Sequence, residues 1–210
     1  MVEKEPFSPN CGDNMLTPAH LEKLTGLSFH EVEDFNIFLA HDIDNAELGR
    51  QRVPFYDRVA EVGENLGHKV FVPYRFTKFP GEEGEMKDTD TVRLMDMMVS
   101  HSKLILCYLG INSTSVGHFI GHAMNKAKDI IYFYEKGTQL ETVAQVEGMF
   151  LGGIPAEERE EVRKEPRVLW HRNQGRKLYR YPNVMEVIEF ETEQECYERL
   201  EAAIKKHIIT

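Results

Sequence analysis

Five short apolar runs are spread along the chain, at residues 36–40, 70–72, 103–109, 129–134 and 184–190. Polar residues rarely alternate with apolar ones inside them, which is typical of strands buried on both faces of a parallel sheet. The pattern therefore predicts a core of about five strands, of which the run at 103–109 is the clearest.

Apolar residues at helical spacing fill the intervals between the first four runs. We expect the first of these helices to begin at Pro54 and to end at Gly67. The apolar positions assigned to the three helices are Phe55, Val59, Val62 and Leu66; Val92, Met95 and Val99; and Val116, Phe119, Ile120, Ala123 and Ala127. Strands that alternate with helices indicate βαβ units with right-handed crossovers, and hence an α/β fold with a mostly parallel sheet.

The remaining segments surround this unit. Residues 1–34 form an N-terminal extension, expected to pack on the domain or on a partner, and residues 35–210 form the α/β domain with an insertion at about 150–182. A long mobile loop is expected at 73–88. The other predicted elements are a helix from Thr17 and Pro18 to Gly26, helical stretches at 139–150 and 157–164, a hairpin of 167–171 with 177–181, and a last helix capped by Thr192 with Glu195 at capping-box spacing.

Composition narrows the class of protein. The 210 residues carry a formal net charge of -10, which argues against nucleic-acid binding because phosphates need a basic face. No apolar run has the length of a membrane span, and the first residues lack the apolar core of a signal peptide, so we expect a cytoplasmic chain without membrane contact. The widely spaced Cys11, Cys107 and Cys196 are expected to be reduced thiols.

Two loops with unusual composition follow predicted strands, at the edge where open α/β sheets bind ligands. The first runs from His41 through Asp42, Ile43 and Asp44 to Asn45, and the second covers residues 112–117. Small hydroxyl residues at a helix start offer free N–H groups to an anion. Plain N-capping by Ser113 or Ser115 is the alternative. Standard dinucleotide and P-loop motifs are missing from the sequence.

His118 and His122 lie at the spacing that puts two imidazoles on one face of a helix. Zinc proteases carry a glutamate base after the first histidine, but here that residue is Phe119. No third ligand is evident, so we expect no metal site, and either histidine can instead be a packing residue. Gly117, Gly121 and Ala123 suggest a helix packed close to the sheet.

Two blocks of the sequence resemble the nucleoside 2-deoxyribosyltransferases and the related 2'-deoxynucleoside 5'-phosphate N-hydrolases. They are residues 37–40 with 66–73, and residues 113–123, within a resemblance that covers about 35–134. The resemblance implies a Rossmann-like (flavodoxin-like) three-layer α/β/α domain, N-glycosidic bond cleavage, no cofactor and a homo-oligomer. It also implies a glutamate nucleophile two residues after the glycine at Gly117. That position is Phe119, which is neither nucleophile nor base.

Other positions match this family in part. Ser113 lies where the nucleotide hydrolases have a serine on the 5'-phosphate and the transferases have an aspartate, so it favours nucleotides. Asp42 and Asp44 argue against a phosphate. Asp96 is one residue away from a family aspartate, and His41 replaces a small residue and would narrow the pocket.

Three hypotheses follow. The first is a nucleotide- or nucleoside-binding protein that has lost the standard catalysis, with a substrate site of His41, Asp42, Ile43, Ser113, Ser115, Gly117, His118, Phe119 and His122. The second is an N-glycoside hydrolase or deoxyribosyltransferase whose catalytic group has moved to Asp42, Asp44, Asp96 or His118. The third is a structural module for protein contacts.

Overall fold

The computed structural model describes residues 16–111, 113–126, 128–138, 169–172, 177–180 and 183–208. Its strands are β1 Phe35–Ala40, β2 Lys69–Phe71, β3 Leu104–Tyr108, β4 Asp129–Glu135, β5 Leu169–Arg172, β6 Lys177–Arg180 and β7 Asn183–Phe190. Its helices are α1 Pro18–Thr25, α2 Phe29–Glu33, α3 Ala46–Asn65, α4 Tyr74–Thr77, α5 Asp88–His101, α6 Thr114–Asn125 and α7 Glu193–His207. The predicted stretches at 139–150 and 157–164, and Ala127, lie outside the described residues.

Five of the strands form one sheet in the order β2-β1-β3-β4-β7, and every neighbouring pair is parallel. Alternate residues of the central strands face opposite sides. Phe38 and Ile105 lie in a core shared with α5 and α6, and Leu39 and Leu106 lie in a core shared with α3 and α7. The predicted three-layer α/β fold with five strands is therefore confirmed. The predicted hairpin is also present, as the antiparallel pair β5 and β6.

The N-terminal segment covers one layer of this fold. Thr17 caps α1 and Gly26 ends it with a φ of 72°, as the sequence predicts. Leu16, Leu21 and Val32 are buried in the same core as α5 and α6. In the described part of the extension, residues 16–34, apolar packing on the domain therefore holds α1 and α2 in place.

The start of α3 differs from the prediction. The helix begins at Ala46, where the Asn45 side chain accepts from the Leu48 N–H at 3.1 Å, and Pro54 lies inside it. The first turns are anchored by Gly49, whose Cα packs so closely on the Phe79 ring that a Cβ would overlap it. A contact made by a glycine leaves no apolar side chain in the sequence pattern, so periodicity placed the start too late.

The stretch at 73–88 also contains more structure than the predicted loop. It forms the short helix α4, and it buries Phe79 and Met86. Its few large apolar residues stand singly among polar, charged, proline and glycine residues, so no helical or strand period indicated this packing. In α5, Val92 is 45% exposed, contrary to the prediction, and Leu94, Met97 and Met98 are buried instead.

At the C-terminal end, Thr192 caps α7 as predicted, accepting from the Glu195 N–H at 3.2 Å. The Glu195 carboxylate accepts from the Glu191 N–H, one residue before the cap. Within the described residues, no helix combines the length and the apolar character needed to cross a membrane.

The glycine that lets a helix pack closely on the sheet lies in α3 and not in α6. A Cβ on Gly63 would come within 2.7 Å of Val70 Cγ2 and 3.1 Å of Ile37 Cδ1. A Cβ on Gly117 or Gly121 would meet nothing within 4 Å. The expected close packing of the α6 glycines is therefore wrong, since these residues lie away from the sheet.

This contrast predicts opposite effects of the same substitution. Gly63→Ala should lower the free energy of unfolding by about 1–2 kcal/mol, because overpacking outweighs the better helix propensity of alanine. Gly121→Ala should raise it by about 0.5–1 kcal/mol, because alanine loses less backbone entropy in a helix. Urea unfolding measures both values, and stabilisation by both variants would contradict the packing.

Candidate functional site

The strand order reverses between β1 and β3, so the loops after Ala40 and Tyr108 flank the switch point of the sheet. Hydrogen bonds join them. The Ile43 N–H donates to Ser115 Oγ at 3.3 Å, and Asp44 Oδ2 accepts from the Ser115 N–H at 2.8 Å. The structure thus brings together the two loops that composition singled out.

The Asp44 carboxylate, from the loop after β1, lies at the N-terminus of α6. Its Oδ2 also accepts from the Ser113 hydroxyl at 3.3 Å, and Ser113 Oγ accepts from the Val116 N–H at 3.4 Å. A carboxylate is stabilised there by the partial positive charge of the helix end. The helix start is therefore capped by Ser113 and neutralised by an acidic side chain from the neighbouring loop.

Asp42 is almost fully buried, at 1% exposure. Its Oδ1 accepts from the backbone N–H groups of Asp44 at 3.1 Å and Asn45 at 3.4 Å, which shapes the turn into α3. Its Oδ2 has no hydrogen-bond partner among the described residues. A buried polar atom without a partner is costly, so we expect this oxygen to have a partner beyond the described residues.

His41 lies beside this carboxylate and is fully buried. Its ring stacks on Tyr56 at 4.3 Å, and its Nδ1–H donates to the Asp42 carbonyl at 2.9 Å. Burial lowers the pKa of His41 to about 4, so the ring is neutral at pH 7 and Nε2 is an acceptor. His41 Nε2 and the Tyr56 hydroxyl also lack partners in the described part of the chain.

A second cluster of polar side chains, apart from the switch-point loops, lies between α5 and α6 on their outer faces. Asp96 Oδ1 accepts from His118 Nε2–H at 2.9 Å and lies 3.4 Å from His122 Nδ1. His122 Nε2 is 3.0 Å from Ser100 Oγ. Burial lowers the pKa of His122, although the Asp96 carboxylate opposes the shift. The two histidines thus share one helix face, as predicted, and bind a carboxylate on the adjacent helix.

No three His, Cys, Asp or Glu side chains in the described ranges are arranged to hold a metal ion. Phe119, where the sequence resemblance leads us to expect a nucleophile, is 2% exposed and packs edge-on against Phe38 at 5.3 Å between ring centroids. Gly117 is exposed on the outer side of α6. Phe119 is therefore a core residue.

A third cluster of polar side chains, which the sequence patterns did not predict, lies at the carboxyl ends of β3 and β4. The Tyr108 hydroxyl, at the end of β3, lies 2.7 and 2.8 Å from the two oxygens of Glu135 at the end of β4. Arg52 of α3 binds Glu135 Oε1 at 2.9 Å. A Cβ on Gly110 would overlap the Tyr108 hydroxyl, so this position needs glycine. The only signals in the sequence were a tyrosine near the end of one apolar run and a glutamate directly after the next.

No family model and no curated protein matches the chain. Among solved structures, a CMP N-glycosidase from Clostridium botulinum, BcmB, is 15% identical with a TM-score of 0.47, covering 80% of this chain and 98% of that one. A conserved protein from Enterococcus faecalis V583 is 13% identical with a TM-score of 0.45, covering 80% and 98%. At this identity, the resemblance to nucleoside-processing enzymes rests on the sequence blocks described above.

The burial of Phe119 generates a stability prediction. Phe119→Ala should lower the free energy of unfolding by about 3–5 kcal/mol, because it leaves a cavity beside Phe38. Val92→Ala, at an exposed position of α5, should change it by less than about 0.5 kcal/mol. If chemical denaturation found both variants equally stable, Phe119 would be a pocket residue rather than a core residue.

The burial of His41 generates a pH prediction. Between pH 6.5 and 4 the unfolded chain binds a proton that the folded protein excludes, so the free energy of unfolding falls as the pH falls. From pH 7 to 4.5, the wild type should lose about 2–3 kcal/mol more than His41→Phe, which keeps the stacked ring but does not titrate. Urea unfolding at both pH values tests this, and equal losses would show that His41 is not buried in a neutral form.

Proposed function

We propose that the chain binds a nucleoside or nucleotide at the switch point between β1 and β3 and lacks the glutamate-nucleophile catalysis of the family that it resembles. The single observation that carries the proposal is the buried Asp42 Oδ2, which has no hydrogen-bond partner among the described residues. The same holds, within the part of the chain that the structure describes, for His41 Nε2 and the Tyr56 hydroxyl, whose rings stack on each other, and this supports the proposal.

The chemistry of these atoms indicates the kind of ligand. Asp42 Oδ2 and neutral His41 Nε2 only accept hydrogen bonds, and the Tyr56 hydroxyl both donates and accepts. A ligand rich in O–H and N–H donors would satisfy them, and a sugar with a nucleobase has both. A hydrogen bond from a ligand donor to the Asp42 carboxylate is strong where water is excluded.

The position of Phe119 supports the second half of the proposal. Its ring packs against Phe38 in the core on the α5–α6 side of the sheet. A glutamate at this position would have to enter an apolar core, where its charge would be costly. The standard covalent mechanism therefore has no group to begin it.

A second candidate function is N-glycoside cleavage with a relocated carboxylate. Asp42 is favoured for that role, because Asp44 is bound to Ser115 at the α6 N-terminus and Asp96 is bound to His118. A carboxylate near the anomeric carbon can act as a base on water and invert the sugar configuration. In this case Asp42 would be both the binding residue and the base.

A thermal-shift screen with nucleosides and nucleoside 5'-monophosphates tests the binding proposal. A ligand at about a hundred times its Kd adds about 2.7 kcal/mol to the free energy of unfolding, which raises Tm by several degrees. In Asp42→Asn the amide oxygen can still accept the Asp44 and Asn45 N–H groups, but a donor replaces the free acceptor. We expect Asp42→Asn to weaken binding at least tenfold, the cost of one buried polar mismatch.

The matched control is Asp34→Asn, since Asp34 is exposed, precedes β1 at the opposite edge of the sheet and pairs with Lys69. It makes the same change of charge and should leave binding unchanged. Chromatography of the incubated nucleosides separates the two candidate functions, because free base released by wild type but not by Asp42→Asn would favour the hydrolase. A screen without any shift would favour the structural module for protein contacts.

A further inference from the structure

We infer that Ser100 is a nucleophile for small esters, with His122 as its base and Asp96 as the carboxylate that orients this histidine. The site is separate from the proposed ligand site and does not depend on it. Ser100 lies in the last turn of α5, shortly before the amino end of β3, whereas the switch-point loops follow the carboxyl ends of the strands. The two sites therefore lie toward opposite ends of the sheet.

The three side chains contact one another through the atoms that a serine nucleophile needs. His122 Nε2 lies 3.0 Å from Ser100 Oγ, and His122 Nδ1 lies 3.4 Å from Asp96 Oδ1. A carboxylate beside Nδ1 attracts the imidazole proton to that nitrogen, which leaves the lone pair of Nε2 for the hydroxyl. A Ser-His-Asp arrangement is recognised by this geometry and not by sequence position or fold.

His122 is in the protonation state that a base requires. Burial lowers its pKa, the Asp96 carboxylate opposes this shift, and Lys126 and His118 add to it. The imidazole is therefore neutral at pH 7 and can accept a proton. Its side chain is 20% exposed, so a small molecule in solution can reach it.

The Ser100 hydroxyl can turn toward His122 without leaving another atom unsatisfied. Its oxygen also lies 2.7 Å from the carbonyl oxygen of Asp96. In an α-helix that carbonyl already accepts from the N–H four residues later, which here is the N–H of Ser100. The hydroxyl proton is thus available to the imidazole.

The surroundings of Ser100 suit the negative charge that develops on a carbonyl oxygen under attack. The C-terminal end of a helix opposes such a charge, but the Lys128 ammonium donates to the Ser100 carbonyl and offsets this field. On α6, Gly117 and Gly121 lie on the same face as the two histidines. A Cβ on either glycine would meet nothing within 4 Å, so there is room for a substrate beside the imidazoles.

The reaction has two steps of covalent catalysis. Ser100 Oγ bonds to the carbonyl carbon of the ester while its proton passes to His122 Nε2. The bond from that carbon to the alcohol oxygen then breaks, and the proton leaves with the alcohol. In the second step His122 takes a proton from water, the water oxygen bonds to the acyl carbon, and the acid leaves as Ser100 regains its proton.

Incubation with p-nitrophenyl acetate, followed by stopped-flow absorbance and by mass mapping of peptides, tests the inference. We expect a burst of p-nitrophenolate and an acetyl group on the peptide that contains Ser100. Ser100→Ala should slow the burst about tenfold or more, and His122→Gln should slow acetylation of Ser100 about a hundredfold, since general bases contribute factors of this size.

The matched control is Ser28→Ala. Ser28 is also partly buried, but its hydroxyl donates to the Glu31 carboxylate at 2.7 Å and has no histidine beside it as a base. This variant should show the burst of wild type, and the peptide that contains Ser28 should stay unmodified in wild type.

The pH profile distinguishes a base from a histidine with a structural role. Acetylation of Ser100 should rise with pH and reach half its maximum below pH 6.5, because the neutral form of His122 is the base. Asp96→Asn removes the charge beside Nδ1, so it should move this midpoint to lower pH and slow the maximum rate about tenfold or more.

Two results would overturn the inference. One is p-nitrophenolate release that is as fast in Ser100→Ala as in wild type, with acetyl groups on lysines alone. The other is acetylation of Ser100 with the same rate and pH profile in His122→Gln as in wild type. Either result would leave the proposed function intact, because the switch-point loops take no part in this chemistry.

Discussion

Residues 37–40 of β1 and 104–107 of β3 are apolar and covered on both faces, and this constraint decides where polar chemistry can lie. Each of their core-facing residues belongs to one of two packed layers, so a polar side chain within either strand would lose its hydration without gaining a partner. Polar residues are tolerated only where the strands end. The chain turns polar at His41, at the point where the strand order reverses.

The candidate site draws on both layers of the fold. His41 stacks on Tyr56 and contacts Tyr74, on the α3 side of the sheet. Ile43 packs against the core on the α5–α6 side. Asp42, between them, is buried with one oxygen in the turn and one without a partner among the described residues. Strict alternation would place His41 and Ile43 on the same face, so the strand pattern ends at this turn, and Asp42 lies between side chains that pack on opposite sides of the sheet.

The sequence was sufficient to predict the strands, the parallel sheet and the two loops at its switch point, because unbroken apolar runs and their flanking polar residues carry that information. It was insufficient for contacts made without apolar side chains, such as Gly49 on Phe79. Asp44 could be identified as a polar loop residue, but its bond to Ser115 joins positions 71 residues apart. The hydrogen bond between Tyr108 and Glu135, which are 27 residues apart, was not predicted for the same reason.

The most direct test of the account is a crystal structure of the protein soaked with the nucleoside that stabilises it most. The account predicts a ligand O–H or N–H within about 2.7–3.2 Å of Asp42 Oδ2, with the nucleoside between the loop after β1 and the start of α6. A nucleoside bound elsewhere, with only water at Asp42 Oδ2, would contradict it.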